Sequence, residues 1–163
     1  MDPNIITLTP GEVMLARMMA ALRTGTNELA GVGSKRFIDD RFESDLIGIC
    51  GEIVYAKRTN LYLDLSFEPR SGGHDFTNNN GETIDVKTTQ HENGRLLVTM
   101  SKSEEKRSDY YVLVTGKIPT FTIRGWATAD EVFSSVVNLG RGDCYGLMQD
   151  QLRPLLKKEE QCG

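Results

Sequence analysis

Apolar residues recur at helical spacing in two segments near the N-terminus. The motif TPGE at residues 9–12 predicts a helix start, because threonine caps the helix, proline suits its first position and glutamate completes a capping box. The helix is expected to run to about Arg23, ahead of a glycine-rich connection that ends near Lys35 and Arg36. The residues available for burial on it are Val13, Met14, Ala16, Met18, Ala20 and Ala21.

The second segment, residues 39–60, has the strongest helical pattern in the chain. Its apolar stripe consists of Phe42, Leu46, Ile49, Cys50, Ile53 and Val54. Gly48 and Gly51 each cost such a helix roughly 1 kcal/mol relative to alanine, which favours a close approach to a sheet at this point. Glu52 lies on the flank of the stripe, roughly 120° from its centre at about 100° per residue.

Alternation of apolar and polar residues predicts strands in the rest of the chain. The predicted strands cover residues 62–68, 95–101, 110–116 and 120–128. The strand at 110–116 is apolar enough to be central in its sheet, and residues 74–89 are expected to form a hairpin around the turn TNNNG. The remaining segments are a charged loop at 101–109, a short helix at 129–137 and a C-terminal segment at 150–158.

Length and composition describe one ordinary globular domain. The chain has 163 residues, of which 39% are hydrophobic and 26% charged, which is enough for one well-buried core and atypical of disorder. Helices followed by a meandering sheet that further helices flank indicate an α/β fold with a central mixed β-sheet. The net charge of −4 argues against coating nucleic acid by bulk electrostatics, although a local basic groove remains compatible with it.

Cysteine usage and the N-terminus exclude further classes. Cys50, Cys144 and Cys162 are odd in number and far apart, so they are expected to be reduced, with Cys50 in the core. Only His74 and His91 could join them, which leaves no usable spacing for structural zinc. No apolar run could span a bilayer, and the acidic, polar N-terminus differs from a signal peptide, so we expect a cytoplasmic protein.

The candidate chemistry lies in GETIDVKTTQ, residues 81–90. Ile84 and Val86 alternate with Asp85 and Lys87, so a strand here puts the acid and the lysine on one face. With Asp75 on the other arm of the hairpin, two carboxylates on neighbouring strands could hold a hard divalent cation. Such an ion acidifies bound water and neutralises charge on a phosphoryl oxygen, while the lysine orients the water and holds a phosphate oxygen.

Asp75, nine intervening residues and then Asp85-Val86-Lys87, preceded by GEIVYAK on a helix, resemble the PD-(D/E)XK nuclease superfamily. The resemblance covers roughly residues 42–128 and departs from the name where His74 stands in place of proline. It implies a restriction-endonuclease-like fold and a magnesium-dependent DNA endonuclease that accepts manganese as a substitute.

Residue by residue, the resemblance implies that Asp75 and Asp85 are metal ligands and Lys87 the catalytic lysine. Glu52 would be either a metal ligand or an acid next to the ligands that does not itself bind the metal. The single domain then divides into an N-terminal helix and connection (1–38), a catalytic core (39–130) and a C-terminal helical segment (131–163). Small size and the exposed edge that such sheets often have favour a homodimer.

Each candidate residue also has a simpler interpretation. Asp85 and Lys87 could form a weak ion pair on a solvated strand face. Asp75 could serve the turn beside Gly72 and Gly73, and Glu52 could lie on the surface at the edge of its stripe. If Glu52 instead joins two other acids, Glu52→Gln is expected to raise the stability of the metal-free protein by relieving repulsion.

Two other functions remain open at the level of the sequence. The chain could be a catalytically silent module that binds nucleic acid or a partner on the same fold, although such a module has no need of Asp75, Asp85 and Lys87 together. The acids could also serve a metal-dependent hydrolase of a nucleotide. Cleavage of a plasmid with and without magnesium separates the three alternatives.

Overall fold

The structure is a computed structural model that describes residues 2–29, 31, 38–66, 73–100 and 106–155. It is a mixed α/β protein, as predicted, with a mixed sheet and helices. The helices are α1 (Pro10–Leu29), α2 (Ile38–Thr59) and α3 (Ala129–Phe133). The strands are β1 (Ile5–Thr7), β2 (Phe76–Thr77), β3 (Thr83–Thr89), β4 (Leu96–Thr99), β5 (Tyr110–Lys117), β6 (Thr120–Thr128), β7 (Val136–Asn138) and β8 (Asp143–Leu147).

Helix α1 starts with the predicted capping box. The Thr9 amide donates to Glu12 Oε2 at 2.7 Å, and the Glu12 amide donates to Thr9 Oγ1 at 3.2 Å. The helix continues past the predicted end at Arg23 as far as Leu29. Its last turns are held against α2, since Thr24 Oγ1 donates to Asp45 Oδ2 at 2.7 Å. This tertiary contact outweighs the low helix propensity of the glycine-containing segment.

The buried face of α1 differs from the predicted one. Its buried residues are Ala16, Met19, Ala20, Arg23 and Thr24. Met14 and Met18, which we expected to be available for burial, are 60% and 58% exposed. They share an exposed apolar face with Leu15 and Leu22. Composition alone could not choose between the two faces, because both carry apolar residues at helical spacing.

Helix α2 packs its predicted stripe on the sheet. Leu46, Ile49, Cys50, Ile53 and Val54 are buried and Phe42 is partly buried in the same cluster. Burial raises the pKa of the Cys50 thiol to about 11, which keeps the thiol protonated and unreactive at neutral pH, as expected of a core cysteine.

The main sheet has five strands in the order β1-β6-β5-β3-β2, so β5 is central as predicted. Strands β3 and β5 run parallel and the other pairs are antiparallel. The predicted hairpin is present, with Phe76 opposite Ile84 and Thr77 opposite Thr83. Both edges are short, because β1 has three residues and β2 has two. The expectation of a homodimer rested in part on an exposed sheet edge. Edges as short as these offer little surface for edge-to-edge pairing.

A second, three-stranded sheet has the order β4-β8-β7. The first core lies between α1, α2 and one face of the main sheet. The second core lies on the opposite face, under β4, β8 and α3. Beyond α3, the described part of the predicted C-terminal helical segment forms β7, β8 and a 3-10 turn at Gln149–Gln151 rather than further long helices.

The strand predicted at 62–68 does not form in its described part, since residues 61–66 have no regular secondary structure. The side chain of Asp64 explains the difference. Its Oδ1 accepts from the Ser66 amide at 2.8 Å, a local bond that competes with strand pairing. Residues 67 and 68 lie outside the described residues. In the part of the chain that the structure describes, no helix is long and apolar enough to cross a membrane.

Candidate functional site

Strand β3 places Asp85 and Lys87 on the same face of the main sheet. The parallel register sets Asp85 beside Tyr111 and Lys87 beside Leu113, both residues of the second core. Ile84 and Val86 point the other way, into the first core. The alternation that suggested a shared face is therefore present in the structure.

Lys87 and Asp85 form a close ion pair, with Lys87 Nζ 2.7 Å from Asp85 Oδ1. The Asp85 side chain is only 5% exposed, whereas that of Lys87 is 36% exposed. A buried carboxylate thus anchors a lysine whose side chain is partly exposed. The alternative of a fully solvated strand face does not describe this pair, because Asp85 is buried.

Asp75 lies immediately before β2 and is bound to β3 by two hydrogen bonds. Its amide donates to the Ile84 carbonyl at 2.9 Å, and its Oδ2 accepts from the Val86 amide at 2.8 Å. The two residues that bind Asp75, Ile84 and Val86, flank Asp85 in the chain. The hairpin therefore brings the two predicted acids together.

Glu52 is buried, with 4% of its surface exposed, so the interpretation as a surface residue is wrong. Its carboxylate faces helix α1. Arg23 Nη1 donates to Glu52 Oε1 at 3.0 Å, and Arg23 Nη2 donates to Glu52 Oε2 at 3.4 Å. This two-pronged contact is a buried ion pair between the two long helices.

The three predicted acids are not gathered into one cluster. Among the described residues, no group of three or more histidine, cysteine, aspartate or glutamate side chains is placed to hold a metal ion. Asp75 and Asp85 are neighbours on the hairpin, and Glu52 is bound to Arg23. The ligand roles assigned by resemblance to Asp75, Asp85 and Glu52 stay predictions.

Sequence reasoning missed Arg23 as a member of this region. A signal was present, because Ala16, Met19, Ala20 and Arg23 follow the spacing i, i+3, i+4, i+7 of one helix face. An arginine in a buried stripe requires an acidic partner, and Glu52 on the flank of the α2 stripe is a candidate for it. The interpretation of Arg23 as the end of the helix concealed this pairing.

Gly51 provides the predicted close approach of α2 to the sheet. A Cβ placed at Gly51 would lie 2.9 Å from Thr88 Cβ and closer still to Thr88 Oγ1. Gly48, for which the same role was expected, has nothing within 4 Å of such a Cβ. Of these two glycines, Gly51 is therefore the one that permits the close contact between α2 and the end of β3.

Gly51→Ala is expected to destabilise the protein by about 1–3 kcal/mol, because the added methyl overpacks the contact with Thr88. Gly48→Ala, one turn earlier, is the matched control and should be neutral or stabilising by up to about 1 kcal/mol through helix propensity. Urea denaturation of both variants measures the difference. Equal stabilities of the two variants would contradict this account of the helix–sheet contact.

Three other polar or charged side chains make structural contacts. His74 Nε2 and Thr77 Oγ1 are 3.1 Å apart at the start of the hairpin. Lys57 pairs with Glu12 at 2.9 Å and so belongs to the helix layer. Arg107 lies over the Phe133 ring, 3.8 Å from its centroid.

A cavity of about 450 Å³ opens beside Lys87. It lies between the end of β3, the turn that follows it and the start of β4, with Leu113 of the second core in its wall. The ion pair of Asp85 and Lys87 is thus at the border of a space large enough for a small-molecule group.

No family model, curated protein or solved structure matches this chain. The fold and the site therefore define it only as a mixed α/β protein whose main sheet carries Asp85 and Lys87 on β3, with Asp75 bound to the same strand.

Proposed function

We propose that this protein is a magnesium-dependent nuclease that hydrolyses phosphodiester bonds in DNA, with the restriction-endonuclease-like arrangement of the PD-(D/E)XK superfamily. One observation carries the proposal. Asp75 is hydrogen-bonded to Ile84 and Val86, the residues on either side of Asp85, and Lys87 Nζ lies 2.7 Å from Asp85 Oδ1. Two neighbouring acids can hold a metal ion that activates water, and a lysine beside them can hold a phosphate oxygen.

The donor atoms of the hairpin suit magnesium. Asp75 and Asp85 offer oxygen ligands, which hard divalent cations prefer over imidazole or thiolate. Asp75 is fixed by the Val86 amide and Asp85 by Lys87, so both carboxylates are held in place. Magnesium bound there would neutralise charge on a phosphoryl oxygen and make water a better nucleophile.

Lys87 is proposed as the catalytic lysine because its ammonium is both anchored and accessible. Asp85 holds one side of it, and the other side borders the cavity. From this position Lys87 can donate to a nonbridging phosphate oxygen and orient an attacking water. Its anchoring by Asp85 lowers the entropy lost when it takes up this role.

Glu52 is proposed to act by positioning. It holds α1 to α2 through Arg23, and Gly51, the residue before it, contacts Thr88 directly after Lys87. The helix pair thereby supports the end of β3 that carries Lys87. The ligand role that the resemblance gave to Glu52 is not needed for this proposal.

The metal requirement gives a direct test. Plasmid cleavage is expected with magnesium or manganese and is expected to stop in excess chelator, while calcium should bind without supporting turnover. Thermal melting in calcium should show stabilisation even though no cleavage occurs, because a ligand that binds the folded state stabilises it.

The same assay decides between this proposal and its alternatives. Activity in excess chelator, or activity with zinc alone, would contradict the magnesium assignment. Binding of DNA without cleavage under any metal would favour a binding module, and release of phosphate from free nucleotides with intact DNA would favour a nucleotide hydrolase. Light scattering after size-exclusion chromatography tests the homodimer, which stays a prediction.

A further inference from the structure

The cavity beside Lys87 combines an apolar floor with a polar rim. Leu97, Leu113 and Leu139 form the apolar part. Lys87, Thr89, His91, Asn93 and Arg95 bring hydrogen-bonding side chains to it. This division into an apolar surface and a few placed polar groups is typical of small-molecule and cofactor sites.

The charge of the cavity is opposite to that of the chain. None of the described residues that line the cavity is acidic, although the protein has a net charge of −4. In the part of the chain that the structure describes, the side chains of Arg95 and His91 make no hydrogen bond or ion pair. Their donors are thus available to an anionic ligand such as a phosphate.

The rim is held in shape by hydrogen bonds. The Gly94 amide donates to the His91 carbonyl at 2.9 Å and closes a turn. Gln149 Nε2 donates to the carbonyls of Glu92 and Gly94 at 2.7 and 2.9 Å, which ties this turn to the chain after β8. A site held in this way loses little entropy when a ligand binds.

We propose that this cavity takes one unstacked nucleotide of the strand being cut, directly beside the scissile phosphate. Arg95 binds a backbone phosphate, the base rests on Leu97 and Leu139, and His91 and Asn93 reach the edges of the base. The position of this nucleotide relative to the cut rests on the proposed nuclease function, because Lys87 belongs to both sites. Binding of the nucleotide itself does not require cleavage.

The cavity determines the class of substrate. Its volume of about 450 Å³ is in the range of about 300–1,000 Å³ that single small ligands occupy, so it accommodates one nucleotide but not a stack of base pairs. A paired base cannot enter without leaving the duplex, which costs a few kcal/mol. The protein is therefore expected to prefer single-stranded or frayed DNA, such as a flap or an end, over intact duplex.

The test is fluorescence anisotropy in chelator, where no cleavage occurs. The labelled probes are a single-stranded oligonucleotide, the same strand in a duplex, and a strand of equal length built from abasic residues. Wild-type protein should bind the single strand at least about tenfold more tightly than either of the others, since a base that buries its apolar face on Leu97 and Leu139 adds affinity that an abasic or paired strand lacks.

Two variants and one control separate the contribution of the phosphate contact from that of the base contact. Arg95→Ala should weaken binding of all three probes by about tenfold, because it removes a phosphate contact. Leu139→Ser should weaken binding of the normal single strand while leaving the abasic strand unchanged. Leu139 is 47% exposed, so this change should not impair folding, and a melting curve checks that. Arg17→Ala, an exposed arginine on α1 at the other face of the sheet, should bind like wild type.

Equal affinity for single strand and duplex, or for normal and abasic strands, would overturn the inference, as would equal binding by the Arg95 and Arg17 variants. These outcomes are independent of the nuclease assay. If the binding pattern holds but magnesium supports no cleavage, the proposed function fails and the nucleotide site stands. If cleavage occurs without this pattern, the nucleotide site fails and the nuclease function stands.

Discussion

Asp85→Asn is expected to lower magnesium-dependent cleavage of DNA by about a hundred- to a thousandfold or more, with little effect on the fold. Asparagine keeps the shape of the side chain and removes its charge. The site then loses one of its two cation-binding carboxylates and the group that holds Lys87 at 2.7 Å. Because the Lys87 side chain is partly exposed, its ammonium can turn to water, and the free energy of unfolding should change little.

Single-turnover cleavage rates for the variant and wild type measure this effect. Lys87→Ala, made in parallel, should lower the rate as strongly. It should preserve calcium binding, since this substitution leaves the carboxylates of the proposed metal site in place. Asp130→Asn is the matched control, because Asp130 is exposed in the first turn of α3, far along the chain from the hairpin. A wild-type rate in either Asp85→Asn or Lys87→Ala would rule out the mechanism proposed for this site.

The hairpin could be predicted because its determinants are local. Alternation of Ile84 and Val86 with Asp85 and Lys87 specifies two faces, and the turn between β2 and β3 specifies antiparallel pairing. The start of α1 could be predicted for the same reason, since a capping box is a contact between residues three positions apart. Features whose partners are near in sequence were thus predicted correctly.

The second sheet could not be predicted, because its pairings join distant parts of the chain. Strand β4 pairs with β8, with Leu96 opposite Leu147. An alternating pattern indicates that a segment is a strand but does not indicate its partner. Residues 143–147, which form β8, have only weak alternation, and burial under β4 and α3 decides their conformation.

The partner of Glu52 was hidden for the same reason. A charged residue at the edge of an apolar stripe can be solvated by water, bind a metal ion or pair with a second side chain. The sequence of α2 alone does not distinguish these three possibilities. The packing of α1 on α2 brings Arg23 to Glu52 across 29 positions of sequence. A long-range contact between helices therefore determined the surroundings of the least certain candidate residue.

Breaking the Arg23–Glu52 pair is expected to have the largest effect on stability. Arg23→Met or Glu52→Leu should each lower the free energy of unfolding by about 3–5 kcal/mol, because each leaves a charge buried without this partner. Glu52→Gln should also destabilise the metal-free protein, by a smaller amount, since glutamine can still accept one hydrogen bond from Arg23. This expected loss of stability in Glu52→Gln is opposite in sign to the gain expected from relieving repulsion among three acids.

The double variant Arg23→Met/Glu52→Leu distinguishes a structural role of Glu52 from a role in binding the metal. Removing both charges should cost well below the sum of the two single changes, because apolar residues of similar size replace a buried pair at little cost. If Glu52 acts by positioning, the rise in melting temperature that magnesium produces should persist in the double variant, since Asp75 and Asp85 are intact. Urea denaturation and melting with added magnesium measure both quantities. A double variant that is stable yet insensitive to magnesium would make Glu52 a ligand of the metal, as the resemblance implies.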